Sequence, residues 1–359
     1  MQTIHLIAAA RPNFMKIAPL YHALKDASGF AVKVVHTGQH YDANMSGTFF
    51  EELGIGDPDY HLKVGSGTHA EQTGRTMIAY EKLIGDNRPD LTVVVGDVNA
   101  TLACALVCAK MHIPLAHLEA GLRSWDRTMP EEINRIVTDS IADLLWTPSP
   151  DGDENLIAEG IPPTKIERVG NIMIDSLLMK WEAIESHRIL EDLELSENQY
   201  IPITLHRPSN VDDVKKLTSI ISALIEIEDS GTPVVFPVHP RTKLALEKSG
   251  LYERLECSSN IKLLEPLPYN AFLKLVSKAA LLITDSGGIQ EETTYLGVPC
   301  LTLRENTERP ITVAQGTNRL VAAENLYDNV KSVLSSPRGH HQCPELWDGK
   351  TAARVVKAI

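Results

Sequence analysis

The sequence predicts an α/β protein of two doubly wound parallel domains, and three observations predict it. Short apolar runs alternate with longer segments of helical periodicity along the chain, the pattern of parallel strands joined by crossover helices. The scheme is played twice, on either side of a charged stretch between Gly170 and Asn198. At 359 residues the chain is also longer than one ordinary core supports.

In the first half, strands are expected at Ile4–Ala8, Val32–His36, Thr92–Val95, Leu115–Leu118, Leu144–Trp146 and Ile166–Val169. Each is an apolar run too short for a helix. Helical patterns fall between them at Phe14–Lys25, Ala100–Lys110 and Pro130–Asp143, the last opened by Pro130 with two acids behind it. The second half repeats this with strands at Ile201–Leu205, Val234–Val238, Ile261–Leu264, Leu281–Thr284 and Cys300–Leu303. Its helices are expected around Val211–Glu228, Ala271–Ala279 and Ile289–Tyr295. The segment from Lys180 to Leu195 reads as one long charged helical stretch suited to bridging two lobes. The boundary is placed near Gly170 to Ser176, giving domains 1–172 and 173–345. The helical segment Leu346–Ile359 is expected to pack back on the first. Two similar lobes facing each other make a cleft, the usual place for a ligand.

Composition narrows the partners. A net charge of −13 argues against nucleic acid and anionic membrane surfaces. The five cysteines are scattered without a CxxC pair, which does not describe a disulfide framework. The chain opens directly into an apparent strand, TIHLIAAA, with no secretory pattern, and no apolar run approaches the ~20 residues of a spanning helix. A cytoplasmic protein is expected.

The richest single motif is Leu281 to Glu292, LLITDSGGIQEE. A buried strand stops at Asp285-Ser286-Gly287-Gly288 and a helix follows. Glycines there allow close approach of a ligand and a sharp turn, and free N–H groups at the new helix start suit a phosphate. Glu291 and Glu292 lie deeper in the helix, where either can accept from ribose hydroxyls. The motif is not GxGxxG, so it speaks for a nucleotide diphosphate rather than specifically for NAD. No cofactor is expected, and no metal, since the adjacent His340-His341 lacks suitably spaced partner ligands.

Other strand ends add charge. Arg11 and Lys16 follow the first strand; His206-Arg207 and His239 end two strands of the second half; Arg309 follows the strand after the glycine turn. Together with that turn, Arg11, Lys16, His206, Arg207 and Arg309 describe a diphosphate clamp. Asp97 and Glu119 end strands of the first half, and Glu131 opens a helix. Asp97 and Glu131 also have ordinary readings, as a helix cap and a helix start, whereas a carboxylate that ends a strand, as Glu119 does, has little structural purpose. Acids gathered against a diphosphate weaken its binding, so the three suggest proton chemistry beside it.

At these residues the chain resembles the non-hydrolysing UDP-N-acetylglucosamine 2-epimerases. The similar motifs are ARPNFMKIAPL, TGQHYD, VVVGDVNAT, HLEAGLRSWDRTMPEEINR, VGNIMIDSL, LHRPSNVDD, VHPRT, TDSGGIQEE and TERP, in the family's order. The resemblance implies two Rossmann-like lobes of the glycosyltransferase-B type, a homodimer, and reversible inversion at C2 of a UDP-linked amino sugar without a cofactor. It places Arg11, Lys16, Asp97, Glu119 and His206 at ligand-binding positions, along with Phe272 near the uracil, Ser286, Gly287 and Gly288 at the phosphates, Glu292 at the ribose, and Arg309. Asp97, Glu119 and Glu131 match the acids proposed for catalysis, with His206 counted beside them. Gln39, His40, Arg207 and His239 match positions that some bacterial members use for a second, activating substrate molecule. Ser66-Gly67-Thr68-His69 departs from the Gly-Gln-containing stretch of bacterial members, and Leu267 stands where some members carry a polar residue. The run RSWDRTMPEEINR also occurs in relatives acting on UDP-2,3-diacetamido uronic acids. That substrate, or a non-catalytic nucleotide-sugar sensor, is the alternative.

Overall fold

A computed structural model describes residues 1–38, 53–336 and 341–359, with residues 11 and 12 described by their backbone alone. The chain divides into two compact units, Met1–Met179 with Glu345–Ile359, and Lys180–Pro344. Each is an α/β unit around one parallel sheet.

The first sheet contains β1 (Gln2–Ala8), β2 (Phe30–His36), β3 (Tyr60–His61), β4 (Leu91–Val95), β5 (Leu115–Leu118), β6 (Leu144–Thr147) and β7 (Ile166–Arg168). Their order is β3-β2-β1-β4-β5-β6-β7, every pairing parallel. The direction of winding reverses between β1 and β4, so the loops leaving those strands diverge and open a crevice at their carboxyl ends. The central strands β4 and β5 are buried throughout, which explains their mainly apolar character, broken only by the buried Thr92 and His117.

The second sheet repeats the design with β8 (Ile201–Thr204), β9 (Val234–Pro237), β10 (Ile261–Leu264), β11 (Leu282–Thr284), β12 (Cys300–Thr302) and β13 (Asn318–Leu320). The order is β10-β9-β8-β11-β12-β13, again all parallel, with the switch between β8 and β11. Its core joins Ile201, Ile203, Phe236 and Ile283 of the strands to Leu217, Ile220, Ile221 and Leu224 of the helix Val214–Asp229.

Three expectations differ from the structure. β3 and β13 were not foreseen, because two- and three-residue edge strands leave almost no periodic signal. The stretch from Lys180 to Leu195 is not one helix but two short ones, Trp181–Glu185 and Ile189–Asp192. Ile184 and Ile189 are both buried. On a straight helix they would lie roughly 140° apart, so the chain breaks between them to bury both. Finally, the first unit runs on to Met179 rather than ending at Ile172. The helix Ile172–Met179 is tied to the helix Arg11–Asp26, where Ser176 Oγ donates to the Met15 carbonyl at 2.5 Å. Asp175 of the same helix accepts from Thr351 N at 3.2 Å and Ala352 N at 2.9 Å, capping the C-terminal helix Thr351–Ala358.

Candidate active site

In the second unit the glycine turn joins β11 to the helix Gly288–Leu296. Gly287 has an ordinary negative φ of −74°, so it is needed for space and not for backbone freedom. A Cβ there would stand 2.5 Å from Glu308 Oε1 and 3.1 Å from Arg309 Nη1. The Arg309 guanidinium therefore lies directly against the turn, paired with Glu308 at 2.6 Å and Glu291 at 3.0 Å. Glu308 also holds Arg304 at 2.8 Å. Burial pushes the Glu308 carboxyl up, but Arg309 and Arg304 outweigh it and hold the group far below the usual range. Gly288 has open space around it.

Asp285, at the start of the turn, is fully buried. It accepts from His206 N at 3.0 Å, Arg207 N at 2.9 Å and Asn210 Nδ2 at 3.2 Å, and its Oδ1 lies 2.9 Å from His206 Nδ1. Arg207 Nε returns a bond to the Asp285 carbonyl at 3.0 Å. The loop after β8 is thus fastened to the loop after β11 across the switch point. The rings of His206 and His239 lie 5.8 Å apart. His239 caps the helix Pro240–Lys248 by accepting from Arg241 N at 3.2 Å.

Glu292 is buried and accepts from the Tyr269 hydroxyl at 2.6 Å. Burial raises its carboxyl to about 7, against a partly offsetting Tyr269 bond. Tyr269 and Phe272 sit one turn apart on the helix Tyr269–Ser277. The residues expected at the ribose and the uracil are therefore neighbours.

In the first unit, Lys16 and Glu119 form a buried ion pair. A Cβ on Gly96 would meet Lys16 Nζ at 3.1 Å and Glu119 Oε2 at 3.4 Å, so the pair closes over the end of β4. Glu119 has a φ of +75°, a region costly for a non-glycine residue and often found at functional sites. Its backbone N–H is held there by the Trp146 carbonyl at 3.0 Å. The neighbouring His117 is fully buried, with Nδ1 2.6 Å from Asp139 Oδ1 and Nε2 2.9 Å from the Gly96 carbonyl.

Two carboxylates of the helix Pro130–Ile141 pin the loop that carries Glu119. Asp139 takes the Gly121 N–H at 3.1 Å and Arg123 at 2.7 Å. Glu132 takes Ser124 N at 3.0 Å, Trp125 N at 2.8 Å and Arg135 Nη2 at 2.7 Å. Arg135 reaches on to the Asp97 carboxylate, and Asn134 Nδ2 donates to the Asp97 carbonyl at 2.8 Å. Glu131, beside Glu132, stays half-buried in the first turn of the helix, where the dipole favours an anion.

The structure thus gathers Lys16, Asp97 and Glu119 at the first switch point. It gathers His206, Arg207, His239, Ser286, Gly287, Gly288 and Arg309 at the second, with Phe272 and Glu292 joined through Tyr269. Arg11 opens the helix after β1, and only its backbone is described. Gln39 and His40 lie outside the described residues. Sequence reading missed Asp285 as a hub, although it stood inside the main motif. It also missed Arg135, whose three-residue spacing from Glu132 signals a helix-face pair. Nothing local in the sequence signals Tyr269 or Asn13, whose amide donates to the Val95 carbonyl at 2.9 Å.

Comparison with known proteins shows the family. Residues 22–359 match the family model described as UDP-N-acetylglucosamine 2-epimerase. The chain is 42% identical over 362 residues to the UDP-N-acetylglucosamine 2-epimerase of Methanocaldococcus jannaschii, covering 99% of this chain and 98% of the relative. It is 43% identical over 319 residues to the UDP-2,3-diacetamido-2,3-dideoxy-D-glucuronate 2-epimerase of Pseudomonas aeruginosa, covering 88% and 87%. A crystal structure of the Methanocaldococcus jannaschii UDP-GlcNAc 2-epimerase in complex with UDP-GlcNAc and UDP superimposes with a TM-score of 0.89, covering 99% of each chain. The chain belongs to the UDP-N-acetylglucosamine 2-epimerase family.

Proposed function

We propose that this protein interconverts UDP-N-acetylglucosamine and UDP-N-acetylmannosamine by reversible elimination and re-addition of UDP. The observation that carries the reading is the set of first-unit carboxylates, Asp97 and Glu119 at strand ends and Glu131 at a helix start, in a chain that also builds a phosphate-type turn over a buried arginine. A hexosamine C2–H is not acidic, because no carbonyl is conjugated to it. Elimination avoids the problem. The C1–O bond breaks with its electron pair leaving on UDP, while the C2 proton passes to a carboxylate, giving a 2-acetamidoglucal. Reprotonation of C2 on the other face and return of UDP to C1 complete the inversion. His206, Arg207, Arg309, Ser286, Gly287 and Gly288 hold the diphosphate through departure and return, and Arg11 and Lys16 are counted among the substrate-binding residues. Phe272 packs on the uracil and Glu292 accepts from the ribose.

The identity to the Pseudomonas aeruginosa enzyme favours a second reading, in which the sugar is a UDP-2,3-diacetamido uronic acid and the chemistry is unchanged. On either reading we place the protein in the cytoplasm as a homodimer, supplying a nucleotide sugar for polysaccharide assembly. Among the described residues no helix is long and apolar enough to cross a membrane. The second-molecule role of Gln39, His40, Arg207 and His239 remains part of the proposal.

Proton NMR of purified protein with each UDP-sugar separates these readings. The expected result is a mixture of two UDP-linked epimers with no free sugar. Free N-acetylmannosamine with UDP would indicate hydrolysis, and binding without turnover of either sugar would indicate a sensor.

A further inference from the structure

Among the groups around the second switch point, Asp285 contacts more of the phosphate-side loop than the proposed reaction requires. It is fully buried, and among the described residues its side-chain partners lie between His206 and Asn210. Burial pushes its carboxyl up, and the His206 bond with the two loop amides outweighs this and holds it below the usual range. An ionised carboxylate only accepts hydrogen bonds, so the facing His206 Nδ1 must carry a hydrogen. His206 is left with Nε2 as its second polar atom, on a side chain 41% exposed.

The neighbouring His239 is set the opposite way. Its Nδ1 accepts from Arg241 N, so its hydrogen sits on Nε2. Burial first, then His206, hold His239 below its usual range. The two rings, 5.8 Å apart, are therefore not equivalent: one is fixed as a neutral donor, and the other is backed by a buried anion.

We propose that Asp285 is a positioning residue that fixes the Nδ1–H form of His206, so that binding of UDP draws one proton from solvent onto His206 Nε2. A neutral ring in this tautomer turns a lone pair toward the diphosphate, which repels it. With Nε2 protonated, the ring donates to a diphosphate oxygen on one side and to Asp285 on the other. The one covalent change is the new Nε2–H bond, formed as an acid of the solvent gives up its proton. During elimination the C1–O electron pair goes to the departing diphosphate, and the imidazolium stabilises that charge while keeping its proton. Among the described residues, the charged or titratable groups around His206 are Asp285 after β11, His239 after β9, and Arg207 on its own loop, which bonds to Asp285. This inference rests on the proposed epimerase reading for the site of the diphosphate, and it is tested separately from the reaction.

The test is isothermal titration calorimetry of UDP binding in two buffers of different ionisation heat, at a pH where the diphosphate is already fully ionised. Proton uptake is read from the difference. The wild type is expected to take up close to one proton per UDP. Asp285→Asn is expected to lose that uptake and to weaken UDP binding about tenfold or more, because a charge-assisted bond is lost. His206→Gln, which leaves Asp285 in place, is the second variant should Asp285→Asn fail to fold, and it too should lose the uptake. His239→Gln is expected to keep it. Unchanged uptake in a folded Asp285→Asn or His206→Gln protein overturns the proposal. A wild type that epimerises but binds UDP without proton uptake overturns the dyad alone. A wild type that takes up the proton yet never epimerises overturns the reaction and leaves the dyad standing.

Discussion

Lys16 and Glu119 form a buried ion pair over Gly96, joining the first helix of the first unit to the residue that ends its fifth strand. Two charges are held out of water together, so each depends on the other. Lys16→Met is predicted to destabilise the protein by about 3–5 kcal/mol, the usual cost of orphaning a buried charge. The double variant Lys16→Met with Glu119→Gln should recover most of that stability and none of the epimerase activity. Urea denaturation of the three proteins measures the first effect and a coupled assay the second. Equal stability of the single and double variants would show that the pair does not act as a unit.

Arg135 links Glu132, which pins the loop at Ser124 and Trp125, to the Asp97 carboxylate. A lysine keeps the charge but cannot fork between two acids. Arg135→Lys is therefore predicted to lower kcat by about 10² or more, through misplacement of Asp97, with a much smaller change in KM. A KM effect of the same size would assign Arg135 to substrate binding.

The two glycines of the phosphate turn should respond differently to alanine. At Gly287 the new methyl meets Glu308, which Arg309 and Arg304 hold in place, and a stability loss of about 1–3 kcal/mol is expected. At Gly288 nothing stands in the way, so the fold should be unaffected and only UDP affinity should fall. Thermal unfolding and UDP titration of each variant resolve the two. Comparable destabilisation by both would contradict the packing described.

Glu292 gives a pH signature. Its carboxyl titrates at about 7 in the folded protein, against an ordinary 4.5. Between those values the folded chain keeps a proton that the unfolded chain has lost. This component of stability is complete at acid pH, declines as pH rises from about 4.5 to about 7, and amounts to at most roughly 3 kcal/mol. Glu308 and Asp285, both held low, act in the opposite sense at acid pH. Subtracting the Glu292→Gln curve from the wild-type curve isolates the term. A flat difference across that range would show that Glu292 is ionised throughout.

The strands were legible where they are buried on both faces, since Leu91–Val95 and Leu115–Leu118 are apolar but for one buried polar residue each, Thr92 and His117. The edge strands Tyr60–His61 and Asn318–Leu320 were not legible, because two or three residues define no period. Motifs at strand ends, such as the glycine turn and Glu119, were readable because a polar residue closing an apolar run has few structural reasons to be there. Their partners were less so. Tyr269 meets Glu292, and Arg135 meets Asp97, through contacts that only the folded chain creates. The sequence also could not show that Glu131 and Glu132, adjacent and alike, divide their work. One is buried against five donors of the loop and helix, and the other is left half-buried in the first turn.

The central claim is that C2 loses and regains its proton while UDP leaves and returns. Incubation with UDP-N-acetylglucosamine in deuterated buffer, followed by proton NMR at C2, tests it most directly. The account predicts one deuterium at C2 of the UDP-N-acetylmannosamine formed, and its slower appearance by about 10²–10⁴-fold when the carboxylate that moves the proton is replaced by its amide. Epimerised product retaining its original hydrogen at C2 would contradict it.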